Sequence, residues 1–190
     1  MGGFLTRSII LRMLLGCLVF LPREVGAQSQ TDAVTLNIRL IPVQTITVRT
    51  SQKTTDLVYE SVDDYENGVS IEQDDHLAVF SSSGFQVTVA AADPNFIQSG
   101  GNGTIMVGDL TIRAAKGSNG GLYTRYDEAV LSTSPTPIIE SEKGGRDLKY
   151  NITYDNRIAG SSQKYIDKYV SSDGTESVYS ANITYTISTR

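Results

Sequence analysis

Apolar side chains recur at every second position in several separate stretches of this chain. In residues 85–91, Phe85, Val87 and Val89 alternate with polar or small side chains. The same period occurs in further stretches, which are residues 34–40, 46–48, 77–79, 110–112, 148–154 and 179–187. Side chains two positions apart lie on the same face of a strand, so each stretch is predicted to be a strand with one buried face. Many short strands without intervening helices are typical of two packed antiparallel sheets, and we predict an all-β sandwich.

The segments between the predicted strands are rich in residues that form turns. Ser81–Gly84 is short and is predicted to close a hairpin between the strands on either side of it. Asn67-Gly68 is typical of a tight turn, and residues 161–174 are compatible with one or two helical turns. The last predicted strand runs almost to residue 190, which favours a chain end held in a sheet.

The N-terminal residues have the pattern of a secretory signal peptide. Arg7 and Arg12 supply positive charge around the start of an apolar stretch at residues 13–21, which is too short to cross a bilayer as a helix. Small residues follow, so we predict a signal peptide at residues 1–27 and a single domain at residues 28–190. The expected location of the exported protein is the periplasm, the outer surface or the extracellular space.

The sequence contains one cysteine, Cys17, and its position leaves an alternative open. Leu14–Cys17 is similar to a bacterial lipobox, in which the cysteine is acylated and becomes the first mature residue. Cleavage after Ala27 would instead remove Cys17, and the mature domain would have no disulfide. A domain of about 150 residues buries roughly 70% of its unfolded-chain surface, so its core can stabilise it alone.

Charge and hydropathy disfavour two classes of partner. The formal net charge is −5, and loss of the signal peptide would make it more negative because that segment contains more arginine than glutamate. An acidic surface disfavours binding to nucleic acid or to an anionic membrane face. After the signal, no stretch approaches the roughly 20 apolar residues of a transmembrane helix, so no transmembrane segment is expected.

The sequence offers few residues for catalysis or metal binding. Its one histidine, His76, follows two aspartates, but zinc sites usually combine several His or Cys ligands. We therefore predict an exposed or strand-edge histidine without a partner. Acidic clusters at residues 63–66 and 72–75 lack the EF-hand pattern and are interpreted as solvated sheet edges. No nucleophile elbow, phosphate loop or dinucleotide fingerprint occurs, so we predict no enzyme and assign no catalytic, metal or cofactor-binding residues.

Three stretches and the chain ending carry a resemblance to known proteins. Asp64–Ser70, followed by His76–Val79 and Gly84–Val89, resembles small secreted proteins of Gram-negative bacteria. The ending Val178–Ile187 is similar to the closing strand of bacterial pilin-like and related surface sandwich domains. The resemblance covers most of the mature chain and implies an immunoglobulin-like or pilin-like antiparallel β-sandwich. Some proteins of this group carry a peptidoglycan-binding label.

The leading functional hypothesis is a non-enzymatic envelope or extracellular protein with a structural or adhesive role, such as a fimbria-like subunit. In such assemblies an extended segment of one copy completes the sheet of another copy of the same chain. The possible strand-exchange face consists of Val34, Leu36, Ile38 and Leu40. The same residues also suit an ordinary internal strand, and we favour that interpretation because intrachain pairing avoids the entropic cost of association.

Tyrosines supply the alternative hypothesis, a peptidoglycan- or other glycan-binding module. Tyr123 and Tyr126 are expected in a loop, where their rings would offer a possible glycan contact, although we favour packing or turn filling as their role because scattered exposed aromatic residues are normal. The other tyrosines of interest lie on the apolar faces of predicted strands; they are Tyr150, Tyr154, Tyr179 and Tyr185. A hydrolase ranks third, because the sequence identifies no acid–base pair.

Overall fold

Strands make up most of the regular structure between residues 40 and 190. The structure is a computed structural model, and it describes residues 29–100, 103–168 and 176–190. The chain divides into two units, Met1–Arg39 and Leu40–Arg190. The predicted signal peptide and its cysteine lie outside the described residues.

Eleven strands and one α-helix follow one another along the described residues. The strands are β1 (Gln44–Val48), β2 (Ser70–Ser81), β3 (Phe85–Ala91), β4 (Ile97–Ser99), β5 (Thr111–Lys116), β6 (Thr124–Tyr126), β7 (Glu128–Val130), β8 (Thr136–Ser141), β9 (Gly145–Asp155), β10 (Val178–Ser180) and β11 (Ile183–Thr189). The helix α1 (Val62–Asn67) precedes β2. Short 3₁₀ helices comprise Thr50–Gln52, Val107–Asp109 and Ile166–Lys168.

The strands form two larger antiparallel sheets and one small one. The five-stranded sheet has the order β1-β2-β9-β5-β7, the four-stranded sheet has the order β11-β3-β8-β6, and β10 pairs with β4. The core contains side chains from both larger sheets, and Phe85 of β3 lies 6.5 Å from Tyr150 of β9 between ring centroids. Each fully buried aliphatic or aromatic side chain contributes roughly 1.5–3 kcal/mol of burial free energy. The predicted all-β, antiparallel sandwich-like fold is confirmed.

The predicted alternation is also confirmed in two strands of the core, β3 and β9. In β3 every second side chain from Phe85 to Ala91 is buried. In β9 the buried apolar positions are Leu148, Tyr150, Ile152 and Tyr154, as expected for one face of a strand. Tyr179 differs because it belongs to the short strand β10 rather than to the last strand of the core.

On one side of the sandwich, a single run of chain passes from one sheet to the other. β6 pairs with β8 of the four-stranded sheet, and β7 pairs with β5 of the five-stranded sheet. Between them, the N–H of Asp127 donates to the carbonyl of Ile138 at 2.9 Å, and the carbonyl of Asp127 accepts from the N–H of Ala114 at 3.1 Å. We call residues 124–130 the closed side, because this run hydrogen-bonds to both sheets.

The hairpin predicted at Ser81–Gly84 is wrong. β2 pairs with β1 and β9, whereas β3 pairs with β8 and β11, so this connection joins the two sheets. The Ser81 hydroxyl donates to the carbonyl of Ser83 at 2.7 Å and thereby turns the chain locally. A Cβ on Gly84 would lie 2.9 Å from the carbonyl oxygen of Glu142, so the crossing requires a residue without a side chain.

The tight turn predicted at Asn67-Gly68 is instead the C-terminal end of α1. The helix begins with a capping box, in which the Ser61 hydroxyl accepts from the N–H of Asp64 and the Asp64 carboxylate accepts from the N–H of Ser61. Gly68 has φ +72°, a conformation that favours glycine. The serine and aspartate spacing is a helix-start signal, and the sequence contained it. Of the helical turns predicted at residues 161–174, the 3₁₀ helix Ile166–Lys168 is present, and residues 169–175 lie outside the described residues.

Candidate functional site

The segment that precedes β1 is exposed and contains no strand. Val34 is 93% exposed, Leu36 85%, Ile38 82% and Leu40 89%, and no strand is assigned between residues 29 and 43. The favoured sequence interpretation, an internal strand, is therefore wrong for these four residues. Alternation indicates that a segment has one apolar face, but it does not identify the strand that will cover it.

This segment, residues 34–40, is named the N-terminal segment below. Its apolar side chains alternate with Thr35, Asn37 and Arg39, so in an extended conformation the two kinds of side chain lie on opposite faces. At about 3.3 Å per residue the segment spans roughly 23 Å, slightly more than a strand of common length. Rows of exposed apolar side chains are uncommon on soluble proteins and mark interaction surfaces.

Opposite the closed side, the sandwich ends in two edge strands that do not pair with each other. β11 pairs with β3 along residues 183–189, and β1 pairs with β2 along residues 44–48. β1 and β11 approach each other, but the described residues contain no ladder between them. We call this pair of edges the open side.

The open side leaves part of the apolar core incompletely covered. On β11, Ile183, Tyr185 and Ile187 point towards the core and are only half-buried. On β1, Ile46 and Val48 show the same partial burial. An edge strand also directs alternate backbone N–H and C=O groups away from its one neighbour, which is a template for a further strand. The open side therefore combines an apolar strip with unpaired backbone.

A buried hydrogen-bonded chain lies behind β11 and contains the one histidine. His76 is 1% exposed, so the prediction of an exposed histidine without a partner is wrong. Its Nδ1 lies 3.1 Å from Oε1 of Gln52, and its Nε2 lies 2.9 Å from the hydroxyl of Tyr154. The Tyr154 hydroxyl lies 2.9 Å from that of Tyr185 on β11. These four residues are named the His76 chain.

A β-bulge explains why the sequence pattern misplaced His76. Since Leu77 points into the core, simple alternation would direct His76 to the opposite face. The register between β2 and β9 shifts between Gln73 and Leu77, and Asp75 has φ +49°. A bulge of this kind re-aims the residues beside it, so His76 and Leu77 are both buried.

The surroundings of the His76 chain keep its groups neutral. Burial lowers the pKa of His76 to about 4, because the imidazolium would be poorly solvated there. Burial also raises the pKa of Tyr154 and holds the pKa of Tyr185 well above its ordinary value. The side chains of the His76 chain are therefore uncharged near neutral pH, and they interact with one another through hydrogen bonds.

The two tyrosines considered for glycan contact occupy different environments. Tyr123 is 53% exposed, and Nζ of Lys143 lies 4.2 Å above the centre of its ring. Tyr126 is in β6 rather than in a loop, and its half-buried ring lies 6.0 Å from that of Tyr150. Tyr123 is therefore the more exposed of the two, with Lys143 over one face of its ring.

Five of the six acidic residues considered in the sequence accept hydrogen bonds through their carboxylates; they are Asp63, Asp64, Glu72, Asp74 and Asp75. The carboxylate of Asp63 accepts from Asn67 at 2.7 Å, and that of Asp75 accepts from the hydroxyl of Ser118 at 2.6 Å. The side-chain amide of Asn151 donates to the carboxylates of Glu72 and Asp74. Within the described ranges, His, Cys, Asp and Glu form no group of three or more suited to a metal ion.

Two comparisons with known proteins gave no match. No protein-family model matches the chain, and no curated protein matches it. Within residues 29–100, 103–168 and 176–190, none of the helices has the length and apolar character needed to span a bilayer.

Proposed function

We propose that the protein is a non-enzymatic structural or adhesive subunit of the cell envelope or the extracellular space, and that it assembles with further copies of itself. The N-terminal segment of one copy would add as a strand to the open side of the next. The observation that carries this proposal is that the same protein has both an exposed apolar segment and an incompletely covered sheet edge. Export would follow from the predicted signal peptide.

Addition of the N-terminal segment to β11 would bury the exposed apolar side chains of the segment and cover the half-buried strip of the open side. Backbone hydrogen bonds to β11 would provide affinity, and alternate apolar side chains of the N-terminal segment would cover the half-buried strip formed by Ile183, Tyr185 and Ile187. Burial of apolar surface contributes about 25 cal/mol per Å². Because the donor and the acceptor are different surfaces, each copy can bind two others, and such head-to-tail contacts produce filaments when they do not close into a ring.

The first test is deletion of residues 28–41. The expected product keeps the circular dichroism spectrum of a β-protein but sediments as a monomer at concentrations where the full mature chain forms larger species. A synthetic peptide of residues 29–41 should then bind the folded deletion variant and raise its melting temperature, since a ligand that binds only the folded state stabilises it. A deletion that unfolds the monomer would contradict the proposal.

Point variants provide a matched control for the deletion. Leu36→Asp places a charge on the apolar face of the N-terminal segment, and Asn37→Asp places the same charge on the opposite face. Assembly should be lost in Leu36→Asp and kept in Asn37→Asp. Equal loss in both variants would indicate a general effect of charge rather than strand insertion.

A glycan-binding module is the second candidate, and the exposure of Tyr123 favours it. Lys143 covers one face of the Tyr123 ring, and the other face would stack on the sugar. Purified sacculi should retain the protein above an albumin control, and Tyr123→Ala should abolish the retention. Tyr126→Phe is the matched control, since its half-buried ring would keep its packing. No retention of the unmodified protein would remove this candidate.

A further inference from the structure

The His76 chain has a fixed direction, which the surrounding groups determine. The side-chain nitrogen of Gln52 donates to the carbonyl of Asp74 at 3.1 Å, so its oxygen faces His76. That oxygen can only accept, and Nδ1 of His76 must therefore carry the proton. In the neutral ring Nε2 then accepts from the Tyr154 hydroxyl, whose oxygen accepts from Tyr185.

Protonation of His76 would reverse its bond to Tyr154 and leave one tyrosine hydroxyl without an acceptor. A proton on Nε2 makes that atom a donor, so the oxygen of Tyr154 must accept from it. The two hydroxyls of Tyr154 and Tyr185 then have only each other as acceptors among the described residues, so only one of their two protons can be bonded. When the Tyr154 hydroxyl donates, the unbonded proton is that of Tyr185. A strand added over β11 would cover the half-buried Tyr185 and keep water from that donor, which opposes binding.

The groups around the imidazole offer no carboxylate to balance its charge. Tyr154 faces it from β9 and Tyr185 from β11, with ring centroids 5.7 Å and 5.9 Å away. From the end of β1, Arg49 contacts the carbonyl of His76 through its backbone N–H. On the same strand, the Asp74 carboxylate is bound by Asn151 and that of Asp75 by Ser118. The imidazolium would therefore be buried beside uncharged rings.

Tyr185 is also one of the half-buried residues of the open side. The His76 chain therefore ends on β11, the proposed acceptor strand. We propose that protonation of His76 weakens the binding of an incoming strand at the open side, acting through Tyr154 and Tyr185, so that acid reverses assembly. This inference rests on the proposed assembly function.

The single histidine allows a direct measurement on the untagged full-length mature protein. Its imidazole signals in NMR report His76 alone, and they can be followed from pH 7 to pH 3.5 in the assembling chain and in the monomeric variant Leu36→Asp. If protonation weakens strand binding, strand binding must by reciprocity disfavour protonation. The pKa of His76 should therefore be lower in the assembled protein than in the monomer. Equal values in the two forms would overturn the inference.

Assembly should be measured by sedimentation at the same pH values. The subunit dissociation constant is expected to rise roughly tenfold between pH 6.5 and pH 4, within the usual range of coupling between two sites. His76→Gln and Tyr185→Phe should both reduce this rise, and Tyr65→Phe, a substitution on α1 outside the His76 chain, should preserve it. The tyrosine variant keeps the test valid if His76→Gln does not fold.

The outcomes separate the inference from the proposed function. A pH dependence that is unchanged in both His76→Gln and Tyr185→Phe would overturn the coupling and leave the assembly function standing. Failure of the unmodified chain to assemble at every pH would overturn both.

Discussion

The closed side and the open side of the sandwich differ in how the two sheets meet. On the closed side, residues 124–130 pass from one sheet to the other, and Asp127 hydrogen-bonds to both. On the open side, β1 and β11 approach each other, the described residues form no ladder between them, and their inward side chains are half-buried. A sandwich has two such sides to cover, and this chain covers one with its own backbone. The comparison therefore shows that the core is incompletely covered at β1 and β11 and not at residues 124–130.

The comparison predicts that the two sides contribute unequally to monomer stability. Ile139 of β8, which pairs with Tyr126 of the closed side, is fully buried, and Ile139→Ala should lower the free energy of unfolding by about 2–5 kcal/mol. Ile187 on the open side is only half-buried, so Ile187→Ala should cost less than half as much. Urea unfolding, in the monomeric Leu36→Asp background, measures both. Equal losses would show that the open side is as well packed as the closed side.

The stability of the monomer should decrease in acid because of His76, which lies behind β11 beside the open side. The pKa of His76 is about 4 in the folded chain because of burial, against an ordinary value near 6.5 when unfolded. Between these values the unfolded chain binds the proton more readily. His76 therefore leaves the free energy of unfolding unaffected above pH 6.5 and lowers it by about 3 kcal/mol as the pH falls towards 4.

Unfolding of the monomeric variant at several pH values measures this loss. The same series with His76→Gln provides the control, because the carboxylates that titrate in this range are still present. An identical acid loss in the two proteins would mean that His76 does not contribute.

A smaller effect is expected at the capping box of α1, which belongs to neither side. Ser61→Ala removes the hydroxyl that accepts from Asp64 and should lower the free energy of unfolding by about 1 kcal/mol. Assembly should not change, because the helix contains none of the open-side residues. If assembly weakened as much as it does in Leu36→Asp, the site would extend beyond the open side.

The smallest effect is expected at the surface of the closed side. Nε of Arg113 and the carboxylate of Glu128 form an exposed ion pair at 3.0 Å between β5 and β7. Exposed pairs are worth about 0.2–1 kcal/mol, and Glu128→Gln should cost no more than this. The loss should decrease in high salt. A larger, salt-independent loss would indicate that the closed side depends on this pair rather than on backbone bonding and packing.

Local pattern predicted much of the fold but not the partners of its strands. The alternation from Phe85 to Ala91 identified β3 to the residue, and Leu148–Tyr154 identified the buried face of β9. Ser81–Gly84 suggested a hairpin because a short turn between two strands usually joins neighbours, yet here the strands enter different sheets. Strand order depends on contacts between distant residues, and a local period carries no information about it.

The candidate site was predicted in part for the same physical reason. The alternation of the N-terminal segment was visible, but its exposure was not, since exposure depends on whether another strand covers it. His76 was misplaced because a bulge interrupts the period of two just before it. The open side is defined by a missing neighbour, and no residue in the sequence marks that feature.

The crossing at Asp127 also constrains how the sandwich can deform. One peptide segment ties the sheets together along the closed side, so the sheets cannot part there unless the hydrogen bonds of Asp127 to Ile138 and Ala114 break. The sheets are also joined beside the open side, by the connection Ser81–Gly84 and by the hydrogen bond between Tyr154 and Tyr185. Any rotation of one sheet against the other must therefore strain either the backbone bonds at residue 127 or these links at the opposite margin.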